Sequence, residues 1–437
     1  MDDYILESIF LDEGLREEAL QRASDKHIPI WMLKKMCSNE WWIEKMEGIA
    51  NGTYEPSSPY TAKIPKDDGD YRVVKINPMI DRKTKELIGD RVIFIIIYLW
   101  IVRNTKDMVH PSCYSYQAGQ SCHKIVGKIV REVHDALEAG LPVIKVDFTK
   151  YFDRMPRWII HWAFDMVEMK FGKSTVVEFL RKYYNNDWYY DTDSRQWVKE
   201  YAGLKQGCTI AAWLANVCMW HLDERLSHLD CKVYRYCDDV LLVGNDAERG
   251  LEIIRETMVA LSSVENGKEY DMELKDRKTQ YINPERWFTF LGYNIKGTMY
   301  SYSAKWIKHY EDNMRHILDT ATPENVVHKV NRFLHGGEYP QFEWIARIKS
   351  EQDIRTLDMY TRDIIRAVKL GRKKVGHLGC QTNGKQGCIQ YHTHGTQTMS
   401  NYQRMPRIDG YLSLWCLTKN RRCGKAVYMA QARELLM

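Results

Sequence analysis

The feature that most constrains this fold is a pair of acids held between two apolar arms, in residues 233–243 (VYRYCDDVLLV). Alternating apolar and aromatic residues on both sides of a tight turn predict a β-hairpin. Asp238 and Asp239 lie at its tip, and a second apolar strand, 141–148 (LPVIKVDF), carries a third acid, Asp147. Neighbouring carboxylates repel each other, so a fold tolerates them most easily when a cation neutralises them.

The three acids therefore predict a site for hard cations. Carboxylate oxygens without a nearby His or Cys suit Mg²⁺ better than Zn²⁺. Two Mg²⁺ ions about 3.5–4 Å apart lower the barrier to phosphoryl transfer at both the attacking and the leaving oxygen. An acidic pair on its own is equally consistent with an exposed turn, so the interpretation depends on the rest of the chain.

Helices and further strands surround the acidic strands. The eleven-residue apolar run from Val92 to Val102 is too short to span a bilayer and predicts a buried helix. Apolar residues at helical spacing predict two or three helices in residues 4–50 and further helices at 123–138, 158–184, 201–226 (after a Gly-rich turn), 248–263 and 304–370. Alternating residues and turn signals predict a hairpin at 66–76 and short strands at 272–282 and 288–295. Regular structure is expected to fade at 371–403, where Gly, Gln, Thr and His dominate. Such a mixture is an α+β layout.

Charge is unevenly distributed along the 437 residues, whose net charge is +5. Residues 366–437 contain thirteen Lys and Arg and two Asp and Glu, so the remainder is mildly acidic. A basic C-terminal segment predicts a polyanionic partner, most simply nucleic acid, with a solvated surface as the alternative. The 11 Cys show no framework spacing, and no secretory signal is visible, which predicts free thiols in the cytoplasm and no membrane association.

Seven segments, in order, resemble the motifs of the reverse transcriptase family. They are IPKDDGDYRVVKINPMIDR (64–82), SYQAGQSCHKIV (115–126), VDFTKYFD (146–153), GLKQGCTIAAWLAN (203–216), YCDD (236–239), ELKDRKTQ (273–280) and FLGY (290–293). The resemblance implies an α+β right-hand polymerase with fingers, an antiparallel palm and a helical thumb. It places an N-terminal helical extension at 1–60, fingers at 61–140, palm at 141–300 with an insert at 157–200, thumb at 301–370 and a basic RNA-binding extension at 371–437.

The resemblance also implies the site residues. The catalytic acids are Asp147, Asp238 and Asp239, and the set that binds two Mg²⁺ ions is Asp147, Phe148, Asp238 and Asp239. The incoming nucleotide is expected to contact Lys66, Arg72, Phe152, Gln206, Gly207 and Lys278. The primer grip is expected at Tyr236, Leu291 and Gly292.

Several of these residues have a physical role and a plainer alternative. Arg72 and Lys66 are suited to phosphate oxygens, but hairpin charges are often only solvated. Phe152 would collide with a 2′-hydroxyl and so favour deoxynucleotides, unless it is simply a core residue. Lys278 is expected to protonate or neutralise the leaving pyrophosphate, although a surface Lys fits as well.

Two positions near the motifs carry less weight. Lys205 stands where the family commonly has Pro or a small residue, which leaves the shape of that turn open. Asp153 is expected to be a turn or cap residue rather than a metal ligand.

The C-terminal region contains six potential metal ligands whose spacing fits no standard zinc site, and we expect them to be free: Cys380, Cys388, His392, His394, Cys416 and Cys423. The aromatic and basic residues from Tyr402 to Arg422 resemble a base-stacking surface.

No RNase H, protease, integrase or HNH pattern is visible, which argues against retroviral and mobile-intron forms, and the retron-type Val-Thr-Gly landmark is also absent. With its helical N-terminus and basic C-terminal extension, the chain resembles the bacterial defence-associated reverse transcriptases, and its YCDD core and length resemble their type 2 class most. That resemblance implies a structured noncoding RNA template, deoxynucleoside triphosphates as substrates and a cDNA product. The alternatives are an RNA-binding maturase-like scaffold and an untemplated or protein-primed DNA polymerase. Oligomeric state stays open.

Overall fold

The computed structural model describes residues 3–24, 28–65, 71–117, 121–274, 279–336, 341–381, 387–392, 408–414 and 418. The chain divides into two compact units. The first comprises residues 1–125 and 141–281, and the second comprises residues 126–140 and 282–437.

The described helices are α1 (Tyr4–Phe10), α2 (Glu13–Ser24), α3 (Ile30–Lys35), α4 (Asn39–Asn51), α5 (Asp90–Asn104), α6 (Cys122–Glu138), α7 (Tyr151–Arg154), α8 (Arg157–Phe171), α9 (Thr175–Asn185), α10 (Ala211–Val217), α11 (Trp220–Ser227), α12 (Ala247–Leu261), α13 (Ala304–Thr320), α14 (Val326–His335), α15 (Gln341–Ile345) and α16 (Glu351–Lys369). A short 3₁₀ turn lies at Lys106–Met108.

The described strands are β1 (Tyr60–Pro65), β2 (Tyr71–Ile76), β3 (Val143–Thr149), β4 (Trp188–Asp191), β5 (Gln196–Lys199), β6 (Lys232–Tyr236), β7 (Asp239–Val243), β8 (Ser263–Glu265), β9 (Lys268–Tyr270), β10 (Glu273–Leu274), β11 (Gln280–Tyr281), β12 (Phe288–Phe290), β13 (Tyr293–Lys296), β14 (Met299–Tyr302), β15 (His377–Cys380) and β16 (Ile389–His392). With these helices they confirm the expected α+β class.

The central sheet of the first unit carries the acidic strands, in the order β10-β3-β7-β6, with β11 also paired to β3. Val146, Val240 and Leu242 are fully buried in it. β3 and β7 are buried over most of their length, and α12 packs against both of them, so most of their side chains are apolar. A helix–sheet core of this kind fixes the strand register, since a one-residue slip would bring every side chain to the other face.

A second sheet of this unit has the order β2-β1-β4-β5. β1 and β2 form a hairpin with Tyr60 opposite Ile76, so the expected hairpin is present but its first strand begins six residues before the predicted start at 66. β4 joins β1 in parallel through Tyr190. The β4–β5 hairpin was not expected, since the sequence predicted only an insert there. A third pair of strands, β8 and β9, turns at Asn266-Gly267, both with positive φ (53° and 76°).

The apolar run at 92–102 lies in α5, as expected. Val92, Phe94 and Ile97 have no exposed surface, so the helix is a core element. No described helix is both long enough and apolar enough to cross a bilayer. Four short helices, rather than the expected two or three, occupy the described part of residues 4–51.

The second unit packs helices against small sheets. β12, β13 and β14 form an antiparallel sheet, followed by α13 to α16. The 19-residue helix α16 buries a full apolar face that includes Ile354, Leu357 and Ile364. The expectation of fading regularity at 371–403 is wrong for its described part, because β15 and β16 pair there with His377 opposite His392.

Candidate active site

The pairing of β3 with β7 brings two of the predicted acids together. Asp147 and Asp239 are direct partners across the antiparallel ladder, two positions along from the Lys145–Leu241 pair. Opposite residues of such a ladder have Cα atoms about 4.5–5.5 Å apart, so their side chains leave the sheet side by side. Acids from two separated stretches of the chain therefore meet at the end of the central sheet.

The hairpin tip is a two-residue turn made of Cys237 and Asp238, because Tyr236 pairs with Asp239. Cys237 has a left-handed φ of 60°. Such a conformation costs a residue other than glycine on the order of 1 kcal/mol, and surrounding contacts must hold it. One of them is Ser115, whose Oγ accepts a hydrogen bond of 3.0 Å from the Cys237 N–H and donates one of 2.6 Å to Asn216 Oδ1.

A buried ion pair supports the same hairpin from within. Arg235 and Asp223 both have 0% exposed side chains, and the Arg235 Nε donates to Asp223 Oδ1 at 2.7 Å. The guanidinium also donates to the carbonyl oxygens of Asn216 (2.9 Å) and Cys237 (3.4 Å). Arg235 thus links α10, α11 and the acidic tip. Burial alone would lower the pKa of the Arg235 guanidinium, but the negative charge of Asp223 outweighs this effect and raises the pKa above its ordinary value.

A cleft of about 700 Å³ lies beside the acids. Its walls include the predicted residues Arg72, Phe152, Gln206 and Asp238, together with Phe148. β2 supplies Arg72, the β3–α7 segment supplies Phe148 and Phe152, and the turn before α10 supplies Gln206. Five predicted contacts of a nucleotide or its metals therefore share one concave site.

A lysine that the sequence did not single out also lines this cleft. Lys75 lies on β2, and its Nζ is 3.1 Å from the centroid of the Tyr189 ring. Burial lowers the pKa of Lys75 to about 8, opposed by the nearby acids Asp153 and Glu200. With Arg72, this residue gives the β2 side of the cleft a cationic character suited to phosphate oxygens.

Close backbone contacts hold the turn that carries Gln206 and Gly207. The Lys75 N–H donates to the Gln206 carbonyl at 2.6 Å. Gly207 has a φ of 107°, and a Cβ there would lie 2.9 Å from the Lys75 carbonyl oxygen. Only glycine fits, because any side chain would force this turn away from β2.

Phe152 is held in the same way. Its carbonyl accepts a 2.7 Å hydrogen bond from the Leu204 N–H, and a Cβ on Gly203 would come within 2.2 Å of that carbonyl oxygen. The half-buried Phe152 ring meets Tyr151 edge-on at 5.6 Å. The ring is therefore fixed in orientation while one side faces the cleft.

Residues 64–295 match the family model described as reverse transcriptase (RNA-dependent DNA polymerase). The chain belongs to the reverse transcriptase family. This enzyme family is the one that the motifs predicted, and with the mixed helices and antiparallel sheets it confirms the expected right-hand polymerase fold. No protein with a curated description matches the chain.

Several solved structures resemble this reverse transcriptase. Apo telomerase from Candida tropicalis is 14% identical with a TM-score of 0.43, over 72% of this chain and 62% of that chain. Telomerase from Candida tropicalis in complex with a fragment of telomeric RNA is 15% identical with a TM-score of 0.45, over 91% and 67%. A partial Cas6-RT-Cas1–Cas2 complex is 14% identical with a TM-score of 0.34, over 58% and 42%. The chain thus spans about three fifths of the length of the apo telomerase.

The residues present provide an acidic oxygen donor set for metal ions. Asp147 and Asp239 adjoin across the sheet, and Asp238 follows at the tip. Within the described part of the chain, no three His, Cys, Asp or Glu side chains are already gathered as metal ligands. Asp238 lies in the turn that precedes β7, where strand alternation does not fix its direction, and it lines the cleft. The donor chemistry fits Mg²⁺, and the ligand set stays a prediction.

Other predicted site residues have different settings. Tyr236 is half-buried, with its ring 6.3 Å from that of Tyr116. Leu291 and Gly292 belong to the second unit, where they form the two-residue turn between β12 and β13 with φ of 51° and 79°. Lys66 and Lys278 lie outside the described residues, as do His394, Cys416, Cys423 and most of 402–422.

Cys380 and Cys388, the described cysteines of the C-terminal region, form no disulfide. Cys380 and Cys388 lie 3.0 and 3.6 Å from the Asn294 amide nitrogen, and Asp353 accepts hydrogen bonds from the backbone N–H groups of Cys388 and Ile389. Asp153 lies in α7, where its N–H bonds to the Lys150 carbonyl, and it also lines the cleft. Asp153 thus lies within a one-turn helix rather than at its cap, and its expected role stays a prediction.

Proposed function

We propose that this protein is an RNA-directed DNA polymerase that copies a structured noncoding RNA into cDNA. The observation that carries the proposal is the pairing of Asp147 with Asp239 across the sheet. The neighbouring acid Asp238 lines a cleft whose walls also include Arg72, Phe152 and Gln206. A scaffold that only binds RNA has no need of a cationic wall, an aromatic wall and a carboxylate cluster in one place.

Two Mg²⁺ ions are assigned to Asp147, Asp238, Asp239 and the Phe148 position. When bound, such ions activate an attacking hydroxyl and stabilise a leaving pyrophosphate. The acids need no partner from outside the first unit, since β3, β7 and their turn all belong to it. We assign Tyr236, Leu291 and Gly292 to the primer grip on their motifs alone.

The protein's own groups orient the deoxynucleoside triphosphate. Arg72 and Lys75 on β2 offer charge-assisted hydrogen bonds to its phosphates. The Phe152 ring occupies the space that a 2′-hydroxyl would need. Gln206, anchored by the Lys75 N–H, offers an amide to the base or the sugar. Lys66, Gly207 and Lys278 complete the proposed set.

The biological role that we propose is defence of a bacterial cell against phages, with the reaction in the cytoplasm. Its support is the resemblance of the motif set to the defence-associated class and the basic segment 366–437, which suits an RNA partner. The nine cysteines that the structure describes form no disulfide, which is consistent with a reducing compartment.

The deciding experiment compares the wild type with the double variant Asp238→Ala, Asp239→Ala. Primer extension on an RNA template with Mg²⁺ and dNTPs is expected to fall at least 1,000-fold, because removing charge stabilisation at a transition state costs several kcal/mol. RNA binding, measured by filter retention, should change less than about twofold because the basic segment is unaltered.

The matched control is Asp312→Ala with Asp319→Ala, which removes two exposed carboxylates from α13. This control should retain full activity. Continued cDNA synthesis by the Asp238, Asp239 variant would contradict the proposal, as would a wild type that binds RNA but incorporates no nucleotide. Sequencing the RNA and DNA that copurify with the wild type would identify template and product.

A further inference from the structure

Lys205 is a buried lysine in the turn that carries Gln206 and Gly207. Its side chain is 3% exposed, and its φ of 53° is left-handed. A lysine in such a place loses hydration and rotamer freedom, so strong compensating contacts are required. The mechanism proposed above makes no use of it.

The contacts of the ammonium group are with the end of α9. Lys205 Nζ donates to the carbonyl oxygens of Tyr183 and Asn186, the latter at 2.6 Å. Nζ also lies 4.0 Å from the centroid of the Tyr183 ring. The last carbonyls of a helix lack partners within the helix and carry a partial negative charge, so a cation is favoured there.

A second link runs in the opposite direction. The Tyr184 hydroxyl donates to the Leu204 carbonyl at 3.2 Å. Leu204 in turn donates its N–H to Phe152, and Gln206 accepts from Lys75. The turn therefore touches α9 on one side and the aromatic and cationic walls of the cleft on the other.

We propose that Lys205 is a positioning residue, whose link between the Gln206–Gly207 turn and the end of α9 sets the affinity for the incoming nucleotide. Pro cannot take this conformation, because its ring holds φ near −65° and it has no N–H, whereas the Lys205 N–H donates to the Ala202 carbonyl at 2.8 Å. The lysine side chain therefore holds a turn of a shape that Pro would not allow. The inference rests on the proposed polymerase function.

The charged surroundings make the link sensitive to pH. Burial lowers the pKa of Lys205 to about 7. Cys208 and Asp187 act to raise this pKa, whereas the cations Arg157 and Lys75 act to lower it, and Asp187 is itself paired with Arg157 at 2.9 Å. The rings of Tyr183 and Tyr184 also face the ammonium group. As the pH rises through 7, the ammonium becomes a neutral amine, and its hydrogen bonds to the carbonyls weaken.

The test is steady-state dNTP incorporation by full-length protein. Lys205→Met keeps the length and apolar stem but removes the donor, so KM for dNTP should rise about tenfold while kcat per active molecule stays within about twofold. Lys199→Met, an exposed lysine on β5, is the matched control and should change neither constant. Lys205→Gln, a neutral donor, should lie between the wild type and Lys205→Met.

The pH profile separates positioning from mere folding. The KM of Lys205→Met divided by that of the wild type should fall toward 1 between pH 6 and 8.5, because the wild-type ammonium group becomes neutral over this range. Lys75 also titrates in this range, but it is present in both proteins and so cancels in the ratio. A variant that loses thermal stability and active fraction but keeps the wild-type KM at pH 6 would overturn the inference. A wild type without incorporation would instead overturn the proposed function, so the two failures are distinguishable.

Discussion

At the scale of one residue, Phe152 is the side chain that we propose to set the choice of sugar. Its backbone is fixed by Leu204 and its ring by Tyr151, so the ring cannot easily withdraw from a 2′-hydroxyl. Phe152→Val should therefore lower the preference for dNTP over rNTP by on the order of 10–100-fold, the range of a contact of a few carbon atoms. The measurement is the ratio of kcat/KM for the two nucleotides.

The same change at Phe171 provides the control for Phe152→Val. Phe171 is also half-buried, but it packs against Trp100 at 5.1 Å and does not line the cleft. Phe171→Val should lower thermal stability and leave the sugar preference intact. Equal discrimination in Phe152→Val and the wild type would show that this ring is only a packing residue.

At the level of elements, the acidic hairpin depends on a buried charge pair. Asp223→Ala would leave the Arg235 guanidinium buried without its carboxylate, which costs roughly 3–5 kcal/mol of unfolding free energy. The Arg235 contact with the Cys237 carbonyl would loosen as well, so polymerase activity should fall with stability. Urea denaturation followed by circular dichroism measures the first effect.

An exposed pair on neighbouring helices tests whether burial is the cause. Arg225 of α11 and Glu256 of α12 form an ion pair with side chains 44% and 49% exposed. Glu256→Ala should cost no more than about 1 kcal/mol, because solvent screens such pairs. Similar losses in the two variants would refute the assigned role of the Arg235–Asp223 pair.

Element prediction succeeded where local patterns and packing agree. The apolar arms 233–243, the strand after Leu141 and the run 92–102 each carry a pattern that one local structure satisfies. The β4–β5 hairpin was missed because each of its strands has only four residues, too few to show a clear alternation of apolar and polar side chains. The aromatic residues of β4 also come soon after those of α9, so they resembled a continuation of the helix. The β8–β9 hairpin had a signal, Asn266-Gly267, which is typical of a two-residue turn.

The site was predictable to the extent that its residues are adjacent in sequence or share a motif. Asp147 and Asp239 were expected to meet, and the strand register places them opposite each other. Ser115 contacts Asn216, Arg235 contacts Asp223 and Lys205 contacts Asn186, and each partner is 12 or more positions away in the sequence. Such contacts depend on tertiary packing, and a single sequence contains no local sign of them.

For the whole molecule, the main asymmetry is electrostatic. Residues 366–437 contain thirteen basic and two acidic residues, whereas the chain as a whole has a net charge of only +5. Binding of a polyanion releases counterions in proportion to the phosphates contacted. The location of the charge, rather than its total, should then decide RNA affinity.

Two triple variants with equal net charge test this argument. Replacing Arg421, Arg422 and Lys425 with Gln should weaken RNA binding and reduce the slope of log K against log salt by about 2, since each lost contact to single-stranded RNA contributes about 0.7. Replacing Lys34, Lys35 and Lys83 with Gln should leave the slope almost unchanged. Equal slopes would mean that the basic segment does not contact the RNA. Because neither set includes a residue of the proposed catalytic or nucleotide-binding set, kcat at saturating RNA should remain at the wild-type value in both.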